Sequence, residues 1–568
     1  MNTFEARILL KNLLLRIRTE TDGRGRFDGA VTEDEVAALK VAVAILNSLP
    51  VAPGAEGVPV IQVQSHEAVL PPSHDLVAQV DAQSRHLNTS IFELPVPLHG
   101  ARLCLDFGTA MSKATLVVDG EAEEHEEIHV LELGKPGDQE EVSLVMLVSS
   151  VFIDEEGRLW FGQMAVERSA VYDDGSRLRL DNIKRRLSED GLGEVVGPKY
   201  NPTSTSVTYG DMVLAYLMYF NWATQQCVRG LGFPSNLPRR YAMPCFPGEK
   251  MREVSHQLRR FLGEAQVLSD SFGDAVKLGL PLLDFMEAVK QVRSAPRNYA
   301  FVGQDLTEPL GAAGALLSWR AKVDMIVLVI DVGAGTSDLS LFRMAIDPAK
   351  EVNDSRESKG TARGITEAGN YLDNVLVEFM LKKAGVTSEH PKAVETRNRL
   401  GLAIRDYKET LFNEHSVFVT IPGVADITVE LAEFMALDAV TNFGSSLKRA
   451  MQEVLESADE SWIDWITANP NRHLTVALTG GGATLPMVKS LAEGFITIRG
   501  QTVRLIPALS FPTWLRESNP GLDQDFSRIA VSLGGARKQL INRGGEATVI
   551  GGDLRQPPRL GGYYQRGQ

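Results

Sequence analysis

The sequence predicts an α/β fold in two lobes. Two β-rich hairpins carry that prediction: "ARLCLDFGTAMSKATLVVDG" at 101–120 and "VLVIDVGAGTSDLSLFRM" at 327–344 each end their first strand on an aspartate and turn through glycine. Between and beyond them, strands alternate with long helical patterns, and a third apolar run, "LTVAL", breaks into Thr479-Gly480-Gly481-Gly482. The 568 residues exceed one simple domain, and the 44% apolar content can bury several cores.

Taken in order, residues 4–18 read as an amphipathic helix, and a second starts at Thr32, where Thr32-Glu33-Asp34-Glu35 forms a capping box. A Gly/Arg-rich turn separates them. "PVAPGAEGVP" (50–59) marks a linker, so residues 1–98 are expected to be a helical extension and tether. From 101 the chain becomes α/β, and helical periodicity predicts helices at 210–230, 248–263, 279–293, 371–383, 393–412 and 430–457. The tail 542–568, rich in Gly, Pro, Gln and Arg, reads as a flexible tail or a docking peptide.

The formal net charge of −15 argues against nucleic acid as a partner, although Lys184-Arg185-Arg186 is a local basic patch. Cys104, Cys227 and Cys245 are widely spaced and unpaired in pattern, which fits a reducing compartment, the cytoplasm. The N-terminal apolar positions are interrupted by Glu5, Arg7, Lys11 and Arg16, so no signal peptide is expected. Nor does any run reach the roughly 18 apolar residues of a membrane span.

Some motifs fail on geometry. His125-Glu126-Glu127-Ile128-His129 matches HExxH, but its flanks alternate as a strand, and four strand residues span about 13 Å, too far for two imidazoles to share a zinc. "GLGEVVGPKY" (191–200) lacks a glycine immediately before Lys199, so it is not a Walker loop. His256 and His473 read as solvated or structural. The three glycine turns survive: Asp106-Phe107-Gly108-Thr109, Asp331 to Asp338, and Thr479 to Pro486. Each places bare backbone at a strand end, where successive N–H groups can converge on an anion. Their order is that of a two-lobed nucleotide clamp.

At this point the sequence resembles the actin-like ATPase superfamily, and within it the ATPase domain of the DnaK-type seventy-kilodalton heat-shock chaperones. "DEEGRLWFGQMAVERSAVYDDGSRLRLDNIKRRLSED" (154–190) is similar to the stretch that leads to the family's catalytic lysine and matches Lys184 to it. "YAMPCFPGEKMREV" (241–254) resembles the interlobe relay, with Pro244 and Arg252 at the matching positions. "LTEPLGAAGALLS" (306–318) places Glu308 beside the phosphates; "GITEAGNYLDNVLVEFM" (364–380) matches Gly369, Asp373 and Asn374; and "RDYKETLF" (405–412) matches Lys408 to a ribose-side lysine. The likeness covers about residues 101–541.

The resemblance implies ATP/ADP and Mg²⁺ as cofactors. Lys184, Glu308, Asp331, Thr336 and Asp338 are the expected catalytic residues. Nucleotide would be held by Asp106, Gly108, Thr109, Ala110, Lys113, Gly333, Ala334, Gly335, Thr336, Gly369, Lys408, Gly480, Gly481 and Gly482, with Asp106 and Asp331 on the metal through water. It also implies the family's two-lobed ATPase fold of duplicated mixed sheets flanked by helices, with lobe I over 101–320 and an upper part near 140–203, lobe II over 321–520 and an upper part near 363–464, and a return to lobe I at 521–541.

Departures qualify the likeness. Ala110 replaces a hydroxyl residue, and Lys113 stands where actins carry a phosphate-binding lysine. Glu409 and Thr484 replace adenine-stacking arginines, and Arg405 a ribose-binding glutamate. Residues 264–305 exceed the family's connection, and Leu280, Leu282, Leu283, Phe285, Met286 and Val289 predict an added helix that packs. About 28 residues follow the ATPase-like unit, so no peptide-holding domain is expected. The sequence therefore reads as a chaperone-like ATPase whose lobes open and close to control a protein partner or client, with a co-chaperone or nucleotide-exchange protein among the candidates. An actin-like scaffold or filament former, a small-molecule kinase and a nucleotide-binding pseudo-enzyme are the alternatives.

Overall fold

The computed structural model describes residues 17–19, 25–27, 87–95, 100–120, 125–172, 176–188, 191–295, 297–544 and 548–549. The chain forms two compact units, Met1–Ala82 and Gln83–Gln568. In the first, Ile17–Thr19 pairs antiparallel with Gly25–Phe27. That corrects the end of the expected helix 4–18: Ile17 and Arg18 are strand residues, paired with Phe27 and Arg26. The rest of that helix, the capping box at Thr32 and the linker 50–59 lie outside the described residues.

The second unit is a two-lobed mixed α/β fold built on two sheets of the same plan. In each, an antiparallel hairpin is extended by two parallel strands on the side of its first strand. The first hairpin pairs Ala101–Asp106 with Met111–Asp119, and Arg239–Met243 and then Val302–Thr307 add in parallel. The second pairs Val323–Val332 with Ser337–Asp347, and Leu474–Thr479 and then Gln501–Pro507 add in parallel. The central strands are apolar runs because both faces are covered: Ile326, Val327, Leu328, Val329 and Ile330 are all fully buried.

Helices Glu308–Leu316 and Phe526–Ala536 pack between the sheets. Their axes approach closely because glycine lines the seam: a Cβ at Gly534 would lie 1.9 Å from Gly311 O. Helix Phe526–Ala536 comes from the chain's late part yet lies on the strands of the first sheet. Beyond it, the first residues of the tail are held on the sheet, while residues 550–568 lie outside the described residues. Asn542 N–H donates to Ser355 O, Gly544 N–H donates to Glu357 Oε2, and Thr548–Val549 pairs with Arg363–Gly364 as a strand. Backbone pairing with an open sheet edge holds these residues, a contact that composition does not reveal.

The helices occur largely where periodicity placed them, at Tyr209–Gly230, Gly369–Lys383 and Ala393–Glu414. Gly248–Phe272 runs nine residues past its predicted end because buried Val267 and Leu268 continue its apolar face. The stretch 430–457 is instead a short turn, Leu431–Met435, and a helix, Asp438–Ser457, after strand Ala425–Glu430. The added helix is Leu282–Ser294; Leu282, Phe285 and Val289 are buried in the first core, and Leu283 faces out. Just before it, Leu280–Pro281 pairs with Arg158–Phe161, extending a small sheet that also contains Ser150–Ile153 and Leu180–Asp181. HExxH lies at the sheet's edge strand Glu126–Val130, as its alternation predicts, with His129 beside Glu127.

Candidate nucleotide site

The duplicated register carries matching residues to matching places. Asp106 ends its strand opposite Lys113 and beside Ala242, while Asp331 ends its strand opposite Asp338 and beside Thr479. The turns beyond these aspartates meet each other. A Cβ at Gly335 would lie 2.6 Å from Thr109 Oγ1, so the second turn's backbone sits against the first turn's threonine. Gly108 is equally confined, since a Cβ there would approach Met111 O to 1.8 Å. Ser149 steadies the first turn: its Oγ donates to Gly108 O at 2.8 Å, and its N–H donates to Ala110 O.

The second turn is braced from behind. Gly369 and Asn370 begin their helix with N–H groups donating to Gly333 O at 3.0 Å and Ala334 O at 2.8 Å. Lys408 does not point free into the cleft; its Nζ lies 2.5 Å from Asp373 Oδ1 and donates to Gly369 O. The third turn closes one wall: Gly480 takes φ +82 under Asp331, and Gly482 N–H donates to Val332 O. Gly481, by contrast, has open space where a side chain would be. Glu409 and Thr484, which the resemblance aligns with adenine-stacking residues, are exposed.

Beneath the turns lies a cluster of buried charge. Lys184 Nζ is 2.5 Å from Glu308 Oε1, and Lys113 Nζ is 3.3 Å from Asp106 Oδ2. Burial disfavours the charged form of Lys184, but Glu308, then Asp106 and Asp338, outweigh it and hold the ammonium's pKa above its ordinary value. Burial raises Asp331 to about 7, helped by Glu308 and Asp106 and opposed by the hydroxyl of Thr479, which donates to Asp331 Oδ1 at 3.0 Å. Burial and Glu308 also push Asp338 well above the carboxylate range, against the Cys245 N–H that donates to its Oδ1 at 2.7 Å.

These groups fit the cofactors implied by the fold. Four buried carboxylates, Asp106, Glu308, Asp331 and Asp338, share the site with two lysines, burial and Glu308 push Asp331 and Asp338 to hold protons above the ordinary carboxylate range, and Asp338 Oδ2 has no hydrogen-bond partner. That is an environment for a divalent cation. Among the described residues no three acidic or imidazole groups converge closely enough to ligate a metal directly. The donor set therefore suits Mg²⁺, which keeps several waters and is often held through them.

Several functional contacts were missed in the sequence. Thr479 was quoted only as the start of a glycine turn, and its hydrogen bond to Asp331 depends on strand pairing. The backbone of Cys245 carries no side-chain signal. Arg405 Nη2 donates to Asn182 Oδ1 at 2.7 Å, and Arg179 Nη2 to Leu402 O at 2.9 Å, both joining residues 179–182 to helix Ala393–Glu414.

The fold has the two-lobed plan of the actin-like ATPases. In sequence the chain is similar to chaperone proteins of the DnaK and HscA type. It is 26% identical over 205 residues to the chaperone protein DnaK of Mycoplasmoides gallisepticum, covering 34% of this chain and 31% of that protein. It is also 26% identical to the chaperone protein HscA of Yersinia enterocolitica over 191 residues and to an HscA homolog of Shewanella denitrificans over 196, covering 34% of this chain and 27% and 28% of theirs. The chain thus spans less than a third of the length of these curated relatives. No protein-family model matches it. No helix among the described residues is long and apolar enough to cross a membrane.

Proposed function

We propose that this cleft binds ATP with Mg²⁺ and hydrolyses it, and that opening and closing of the lobes through this cycle controls binding of a protein partner or client. The observation that carries the reading is the contact between the opposed glycine turns at Gly335 and Thr109, combined with the buried Lys184–Glu308 pair whose ammonium also feels Asp106 and Asp338 at the strand ends. Such turns present backbone N–H groups to phosphate from both sides, and a lysine below them stabilises charge that grows in phosphoryl transfer.

The roles divide by environment. Lys184 and Lys113 supply positive charge, and Thr109 and Thr336 supply hydroxyls at the two turns. Bound through water to Asp106 and Asp331, Mg²⁺ would neutralise phosphate charge. Asp331, near 7, is suited to orient and accept a proton from the attacking water at neutral pH. Asp338, held above the carboxylate range and fixed by the Cys245 N–H, suits a proton-donating role in the same network. Glu308 is the ion-pair partner of the Lys184 ammonium. The named relatives are chaperones, which supports a protein client and a co-chaperone or nucleotide-exchange protein as partners.

The test is Mg²⁺-dependent ATP hydrolysis by the purified chain beside Lys184→Ala, with nucleotide binding measured on the same samples. Loss of about 10²–10³-fold in turnover with binding retained is expected for removal of one transition-state charge contact. Binding without turnover in the unmodified chain would reject hydrolysis and leave a nucleotide-sensing pseudo-enzyme. Absence of binding would reject the reading entirely.

A further inference from the structure

The mouth of the cleft is bridged by two hydrogen bonds. From the second lobe's helix Ala393–Glu414, Arg405 donates to the side chain of Asn182, and the carbonyl of Leu402 one turn earlier accepts from Arg179. Arg179 is itself fixed, its Nε donating to both oxygens of Asp181 at 3.0 and 2.9 Å. Asp181 accepts in addition from Ser150 Oγ, and burial of this carboxylate is outweighed by Arg179 and then Arg405, which hold its pKa below the ordinary value.

Asn182 has φ +60, the left-handed region that asparagine tolerates better than most residues. Its carbonyl accepts from Arg185 N–H, so the turn it opens encloses Ile183 and Lys184. Lys184 thus leaves the backbone within a turn whose first residue is gripped by the opposite lobe. Arg405 stands one helical turn before Lys408, which is anchored beside Gly369 and the second glycine turn.

From this geometry we propose that Asn182 and Arg405 are positioning residues that set Lys184 in its productive place only when the cleft mouth is shut. The inference rests on the reading of the cleft as an ATP site, and it adds that closure and lysine placement are one event. Arg405, engaged with Asn182, is committed to the opposite lobe rather than to the nucleotide's sugar. Opening the mouth frees the turn that carries Lys184, so an open cleft holds nucleotide without aligning it for transfer.

The test combines two readouts. Spin labels at Glu156→Cys and Lys382→Cys, exposed positions in the upper parts of the two lobes, report the mouth distance in the unliganded chain in a Cys227→Ser background. Asn182→Gly keeps the left-handed backbone and removes the acceptor; Arg405→Leu removes the donor; Asn182→Asp keeps an acceptor. The Gly and Leu variants are expected to shift the distance distribution outward and Asn182→Asp to leave it narrow.

The second readout is single-turnover hydrolysis and release of a fluorescent ADP. Loss of the charge-assisted bond predicts release about tenfold faster and single-turnover hydrolysis about tenfold slower in either variant. The double variant should be no worse than the single ones. Unchanged mouth distances in Asn182→Gly and Arg405→Leu would overturn the proposal, as would fully additive effects on hydrolysis. Because the distance measurement needs no nucleotide, it judges the clamp even where the unmodified chain fails to bind ATP, and that failure would count against the ATP site alone.

Discussion

At the scale of residues, the cleft's carboxylates respond to pH in a direction that can be worked out. Asp331 is raised from 3.8 to about 7 by burial beside Glu308 and Asp106. The folded state therefore holds this proton more tightly than the unfolded chain does. The resulting contribution to stability is complete below about 3.8 and is lost as pH climbs through about 7. Without ligand, the melting temperature should fall across that window, and Asp331→Asn should flatten the fall while abolishing turnover. An equal slope in Asp331→Asn, measured by scanning calorimetry from pH 4 to 8, would mean that this carboxyl is not the group responsible. Gly335 offers a steric counterpart: its missing Cβ leaves space that Thr109 Oγ1 already occupies, at 2.6 Å from where that carbon would be. Gly335→Ala should hold the turns apart and lower turnover at least about tenfold, as small misplacements at phosphoryl-transfer sites do. A wild-type rate would show that the turns need not meet.

At the scale of elements, the helix pair between the sheets depends on small residues. At Gly534 a side chain would collide with Gly311 O at 1.9 Å and Ala315 N at 2.4 Å, both backbone atoms that cannot swing aside. Gly534→Ala should therefore destabilise the chain by at least about 1–3 kcal/mol in urea unfolding, the usual range for overpacking. Gly401 is the control: it lies within helix Ala393–Glu414 with nothing within 4 Å of its virtual Cβ. Gly401→Ala should stabilise by about 0.5–1 kcal/mol through helix propensity alone. Equal effects at both positions would refute the seam argument. The same contrast explains what the sequence could reveal. Both hairpins were legible because an aspartate, a glycine turn and two apolar runs sit within some twenty neighbouring positions. So were the helices with a clean apolar stripe. Contacts made by distant partners were not: Thr479 meets Asp331 across 148 residues, Cys245 meets Asp338 across 93, and Arg405 meets Asn182 across 223. The tail's pairing was hidden for the same reason. Lys408 reads in the sequence as a ribose-side lysine, and its close partner Asp373 faces it only through tertiary packing.

At the scale of the whole molecule, electrostatics sets a condition on nucleotide entry. The chain carries a formal charge of −15, and its cleft holds four buried carboxylates against two lysines. A triphosphate is itself strongly anionic, so two ammonium groups that are already paired with Glu308 and Asp106 cannot offset its approach. A divalent cation entering with the nucleotide reverses the sign of the problem, because it neutralises phosphate and carboxylates together. The expected result is strong thermodynamic linkage: Mg²⁺ with ATP at a hundred times its dissociation constant should stabilise the fold by about 2.7 kcal/mol, whereas ATP with EDTA should give almost none. Thermal unfolding in the two conditions reads this directly. Asp106→Asn offers the matching control, since it removes one proposed outer-sphere carboxylate and releases Lys113 from its partner. In that variant, the gap between Mg²⁺-ATP and ATP-EDTA should narrow from both ends, as cation binding weakens and the freed lysine attracts bare phosphate. Equal stabilisation with and without Mg²⁺ in the unmodified chain would mean that the lysines and turn N–H groups suffice, and that the buried acids serve closure and proton transfer without a cation.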